Sequence, residues 1–167
     1  RWHQILDVAA RVGPHHVVCH TGFDPRHHRE QKKAWVSRAL ALLEPLVDRA
    51  ERLGVRLCLE NVWEEDPSLH QDILSRLDSP FLGFCLDVGH QHAFSRTPLA
   101  VWLEALGGRL LEVHLHDNDG SRDDHLPVGM GTIDFGLLFE TLARQGRQPL
   151  LTVEPHTKEH LRHTLVN

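Results

Sequence analysis

Five short apolar runs in this sequence each end on a side chain that binds metals or moves protons: His20, Glu60, Asp87, His114 with His116 two residues on, and Glu154. Glu60 and Glu154, taken with Asp87 and His114, form a mixed oxygen and nitrogen ligand set. Such a set suits Mn²⁺, Mg²⁺, Co²⁺ or Zn²⁺ and leaves coordination positions for substrate oxygens, so that a bound ion acts as a Lewis acid. Any one of these residues alone reads as a solvated carboxylate or a hydrogen-bonded histidine. Four at successive run ends call for an architecture that gathers the ends.

The runs His16–His20, Arg56–Asn61, Leu82–Asp87, Leu110–His116 and Leu150–Glu154 predict strands. The helix-period segments Arg29–Leu53, Pro67–Leu77, Pro98–Leu106 and Phe135–Gln145 separate them. Nearly continuous apolar strands alternating with helices specify a parallel sheet covered on both faces, and Gly54 supplies a C-terminal stop for the longest helix. In a β/α barrel the strand C-termini form one rim, so a ligand set spread over strand ends is what a barrel site looks like in sequence. A doubly wound sheet concentrates its chemistry at one switch point, usually beside a Gly-rich phosphate loop, and the sequence has none. The fold class is therefore α/β, a partial (β/α)8 TIM barrel with about strands 3 to 7, forming one domain over residues 1–167.

Alternation along a strand also predicts what lies beneath the rim. Arg56 and Cys58 should point inward below Glu60, Gly83 and Cys85 below Asp87, and Glu112 below His114. Arg56 and Glu112 either pair in the interior, where a lone charge is costly, or reach solvent at the open bottom.

The segment Val113–Phe135 is the densest in chemistry, with His114, His116, Asp117, Asp119, Asp123, Asp124 and His125 in a stretch closed by Gly129 and Gly131. A polar, glycine-hinged loop after a barrel strand holds substrate contacts or a second metal site. We expect His116 and Asp117 to contact substrate, and His20, His90, Asp123 and His125 to line the same cavity as second-metal or substrate-binding residues. His3, His27, His28, His70, His160 and His163 fall on predicted helices or loops and are expected to be exposed and remote.

The stretches LENV (Leu59–Val62), CLDVGH (Cys85–His90), VHLHD (Val113–Asp117), DDHLPVGMGTIDF (Asp123–Phe135) and TVEPH (Thr152–His156) resemble, in order and spacing, the motifs of the xylose isomerase-like TIM-barrel superfamily, which includes endonuclease IV. The resemblance runs from about His16 to about His156. For the isomerase and epimerase branch it implies one divalent metal on Glu60, Asp87, His114 and Glu154. For the endonuclease IV branch it implies further zinc ligands at His20, His90, Asp123 and His125. Endonuclease IV proteins carry a Thr-Cys pair where this chain has Val88 and Gly89, and the form HLHDNDG is closer to proteins called sugar phosphate isomerases/epimerases.

Three functions follow for comparison. The first is a metal-dependent isomerase or epimerase of a sugar, sugar phosphate or sugar acid, with Glu60 or Glu154 moving the proton. The second is a zinc phosphodiesterase cleaving abasic DNA, which requires basic loops; only Pro25–Lys33 and Lys158–His163 are mildly basic. The third is a truncated, non-catalytic barrel that binds metal. A net charge of −5 without a run of Lys or Arg argues against a grip on nucleic acid. No apolar stretch approaches the roughly 20 residues of a membrane span and no signal segment opens the chain, so the expectation is a cytoplasmic protein. Cys19, Cys58 and Cys85 lie far apart within apolar runs and read as buried thiols. Eight strands close a barrel, and five are predicted here. The remainder is expected either from a longer polypeptide or from another chain in a homo-oligomer.

Overall fold

A computed structural model describes residues 1–166. Five strands, β1 (Val17–His20), β2 (Leu57–Glu60), β3 (Leu82–Asp87), β4 (Leu110–Leu115) and β5 (Leu150–Val153), pair in parallel in sequence order. The helices are α1 (Trp2–Val12), α2 (Pro25–His28), α3 (Lys32–Leu53), α4 (Ser68–Arg76), α5 (Val88–Phe94), α6 (Leu99–Leu106), α7 (Phe135–Arg144) and α8 (Lys158–Val166). This is the α/β architecture of a partial TIM barrel, in which β1 and β5 each have a single neighbour among the described residues. On β5, Leu150 and Leu151 are 48% and 46% exposed. No described helix is long and apolar enough to cross a membrane.

The pleat sorts the strands. Leu57, Leu59, Phe84, Leu86 and Val113 enter the apolar core with Leu46 and Val47 of α3, Ile73 of α4, Trp102 of α6 and Leu138 of α7. Burying such side chains contributes about 1.5–3 kcal/mol each and drives the helices onto the sheet. The alternate residues Glu60, Asp87, Glu112 and His114 remain for the other face. All three cysteines are free and buried, and burial pushes the Cys19 thiol up to about 12, so that thiol is an inert core group.

Register places the rim in steps. His20 lies opposite Glu60, Glu60 opposite Cys85, and Asp87 opposite His114, which in turn lies opposite Thr152. The pairing of β3 and β4 shifts at Phe84/Cys85, where Leu111 fills the space left by Gly83; a Cβ there would sit 2.3 Å from the leucine.

Of the two alternatives for Arg56 and Glu112, solvent exposure of the arginine holds, and the expectation for His70 fails. Arg56 precedes β2 and is exposed, so it is no partner for Glu112. The buried Glu112 carboxylate is instead bonded by His16 and by the Thr152 hydroxyl. His70, expected to be exposed, is fully buried in α4 with its ring 5.0 Å from Phe84 and 5.9 Å from Trp102. It shares the buried helix face with Leu69, Ile73 and Leu74, and burial holds its pKa down, leaving it neutral.

Candidate metal centre

Glu60 closes β2, Asp87 closes β3, His114 is the penultimate residue of β4 and Glu154 follows β5. Two side chains lock the backbone at this level. Asn61 donates through Nδ2 to the Asp87 carbonyl at 2.9 Å and accepts from the Asp87 amide at 3.0 Å, pinning β2 to β3. Asp87 also caps α5, accepting from the His90 amide at 2.7 Å. The Glu154 amide donates to the Leu115 carbonyl at 3.1 Å.

These constraints set His114 Nδ1 among three carboxylates: Glu60 Oε1 at 3.3 Å, Glu154 Oε1 at 3.3 Å and Asp87 Oδ2 at 3.7 Å. Donor atoms around an ion with bonds of about 2.1 Å stand about 3.0–3.4 Å apart. The spacing thus fits a single divalent cation. Burial opposes protonation of His114, yet Asp87 and Glu60 outweigh it and raise the ring to about 10. Burial likewise opposes ionisation of Glu60, and His114 and His20 outweigh it, holding the carboxyl at about 2. Asp87 is held below the usual carboxylate range against burial by His114 and His116. Without metal, a proton on His114 offsets part of the charge of the three carboxylates.

A second cluster adjoins the first. His90 Nε2 and His125 Nε2 lie 3.3 and 3.2 Å from Asp123 Oδ2. His90 Nδ1 donates to the Asn61 carbonyl at 3.0 Å and His125 Nδ1 to the Glu154 carbonyl at 2.9 Å, so both Nε2 atoms are turned to the same carboxylate. Two imidazole nitrogens aimed at a carboxylate need a proton or a metal cation between them. With protons in that role, burial opposes the charge on His90 while Asp123 and Asp87 overcome it, taking the ring to about 9. His125 is the one non-glycine residue with positive φ, 49°, among those described. Its ring is sandwiched between His116 at 3.7 Å and His156 at 3.8 Å.

His20 Nε2 is 3.3 Å from Glu60 Oε2, beside the first cluster, and Glu60 raises its pKa. The loop residues depart from expectation. Asp117 is 1% exposed, with its oxygens accepting from the backbone amides of Asn118, Gly129, Gly131 and Ile133. It is a clamp for the loop and has no free face for substrate. Gly131 is required by this clamp, since a Cβ there would meet Asp117 Oδ1 at 2.3 Å. His116 is also 1% exposed, bonded through Nε2 to Asp87 at 3.0 Å.

Among the remaining histidines, His3, His27 and His163 are exposed and His28 is half-buried, accepting from the Asp24 amide. His160 is not remote: its Nδ1 donates to the His125 carbonyl at 3.0 Å, tying α8 to the loop. Asn61, His16 and Thr152 acquire roles that spacing does not assign, although Asn61 stands inside a motif.

Comparison with known proteins gives concordant results. The family described as xylose isomerase-like TIM barrel matches residues 1–165. An uncharacterized protein of Methanocaldococcus jannaschii is 30% identical over 145 residues, covering 83% of this chain and 50% of its own length. A Thermus thermophilus protein studied after soaking with ZnCl2 is 32% identical, with a TM-score of 0.70 over 96% of this chain and 64% of that one. A D-tagatose 3-epimerase-like protein superimposes with a TM-score of 0.82 at 24% identity, covering 97% of this chain and 64% of that one. The chain spans about half the length of the relatives it matches in sequence.

Proposed function

From the premise that this chain belongs to the xylose isomerase-like TIM-barrel family, we propose that it carries the metal centre of a divalent-metal-dependent sugar or sugar phosphate isomerase or epimerase. The observation that carries this reading is the convergence of three carboxylates on one ring nitrogen, His114 Nδ1. Glu60, Asp87, His114 and Glu154 would hold the ion, Mn²⁺, Mg²⁺, Co²⁺ or Zn²⁺. When bound, it supplies a Lewis acid that polarises a substrate carbonyl and the neighbouring hydroxyl.

The two glutamates divide the remaining work by access. Glu60 is 6% exposed in its side chain and bonded by His114 and His20, which suits a fixed ligand. Glu154 is 33% exposed, which suits its carboxylate to take a carbon-bound proton beside the substrate carbonyl. Delivery of that proton by Glu154 to the former carbonyl carbon would give isomerisation, and delivery of a different proton, carried by Glu60, to the original carbon from the opposite side would give epimerisation. His20, at the mouth beside Glu60, is placed to orient a substrate hydroxyl. A D-tagatose 3-epimerase-like neighbour and a relative studied with ZnCl2 support the substrate class and the metal.

The second cluster favours one further reading, a multinuclear zinc phosphodiesterase acting on abasic DNA, with the group His90, His116, Asp123 and His125 holding another ion. The net charge of −5 weighs against a DNA substrate. Incubating the metal-loaded protein in D₂O with pentuloses and hexuloses, and in parallel with abasic duplex, tests both. Deuterium entering the carbon next to the carbonyl is the expected result. Strand cleavage without sugar exchange would overturn it.

A further inference from the structure

The first turn of α5 carries a glycine, Gly89, at a place where helix propensity disfavours one, and the reason is visible in what lies against it. A Cβ on Gly89 would stand 1.9 Å from His116 Cε1 and 2.4 and 2.5 Å from the two ring nitrogens. The imidazole therefore occupies the volume that any other residue at position 89 would need. His116 does not face solvent from this slot. Its Nε2 lies 3.0 Å from Asp87 Oδ1 and 3.1 Å from Oδ2, with the carboxylate wholly buried.

We propose that His116 is the positioning residue for Asp87 in the metal centre and that Gly89 is the residue that admits it. The inference rests on the metal reading above. A carboxylate on a two-bond stem turns freely about its terminal torsion unless something fixes it. Apart from His116, the hydrogen bond from the His90 amide reaches only Oδ1. The His116 N–H, arriving from another element, fixes the carboxylate plane, and Oδ2 is left facing His114 Nδ1. His116 is itself held from behind by its stack on His125, 3.7 Å between centroids with planes 3° apart. The slot, the bond and the stack together make an orienting partner for a ligand, of the kind whose loss lowers metal affinity about 10–100-fold.

The experiment is a double-mutant cycle on metal affinity, read by titrating Co²⁺ or Zn²⁺ into the metal-free protein, with circular dichroism and thermal denaturation of the metal-free forms alongside. His116→Ala should weaken binding about 10–100-fold in a protein that still folds, and His116→Gln, which keeps an N–H donor, should recover part of the loss. Gly89→Ala should weaken binding by a comparable factor in the wild-type background, because the ring must leave its slot. In the His116→Ala background the same change should cost less than about twofold, because the slot is empty and alanine suits a helix better than glycine. Affinity retained in His116→Ala, or an equal loss from Gly89→Ala in both backgrounds, would overturn this inference alone. Wild-type protein that takes up no divalent ion would overturn the metal reading and this inference with it.

Discussion

Binding of one divalent ion at neutral pH should release one proton, and that proton should come from His114. In the metal-free protein the three carboxylates around Nδ1 keep this ring charged with a pKa of about 10, whereas a ligand must offer a lone pair. At pH 7 only about one ring in a thousand is neutral, so competition with the proton costs the ion about 4 kcal/mol of affinity. Glu60, held at about 2, is already ionised and releases nothing. The apparent affinity should therefore rise about tenfold per pH unit between pH 7 and 9 and level off near 10. Isothermal titration in buffers of different ionisation enthalpy counts the protons directly. A second ion at His90, whose ring is pushed up to about 9, would add another. Binding without proton release, or affinity that is flat from pH 7 to 9, would refute the ligand assignment of His114.

Three shorter expectations accompany it. Glu154→Gln should abolish proton exchange into sugars while leaving the circular dichroism spectrum unchanged, because the side chain is one-third exposed and adds little to packing; retained exchange removes Glu154 from the chemistry. Asp117→Ala strips four backbone amides of their acceptor and should cost about 3–5 kcal/mol in urea unfolding, with amide exchange accelerated over residues 118–133. Metal-free stability should be greatest between about pH 4.5 and 6.5. Glu60, lowered from 4.5 to about 2, withdraws its contribution as pH falls through the folded value. His114, raised from 6.5 to about 10, withdraws its own as pH rises through that value. Denaturant midpoints from pH 2 to 10 check this, and a midpoint that keeps rising above pH 7 contradicts it.

Most of the fold and the strand-end ligands can be read from the chain because both follow from a period of two. The residues that bury outward, Leu57, Leu59, Phe84, Leu86 and Val113, and those that face one another inward, Glu60, Asp87 and His114, are the two phases of one alternation. That logic ends with the strand. Just beyond β4, proximity in sequence suggests substrate contacts for His116 and Asp117, and the turn instead drives both inward, where backbone amides and Asp87 occupy them. Helix α5 is not legible either, since Val88–Phe94 contains a glycine and two histidines and owes its start to the Asp87 cap. His70 departs from expectation for another reason. Its position on α4 matches the buried face, but a polar type argues for exposure unless phase is given more weight, and a neutral imidazole can pack among aromatics.

The same boundary divides the two clusters by how they are held. Glu60, Asp87 and His114 sit on paired strands, so their spacing is set by ladder hydrogen bonds that form with the fold itself. Asp123 and His125 ride on a loop whose shape depends on one buried carboxylate, Asp117, and on the strained backbone of His125. Loosening the loop therefore removes the second cluster first. It reaches the first cluster by two routes, through the stack of His125 on His116 and through the bond of His125 to the Glu154 carbonyl. The strand-borne cluster is thus the part of the site built to persist, and the loop-borne cluster is the part that loosens first.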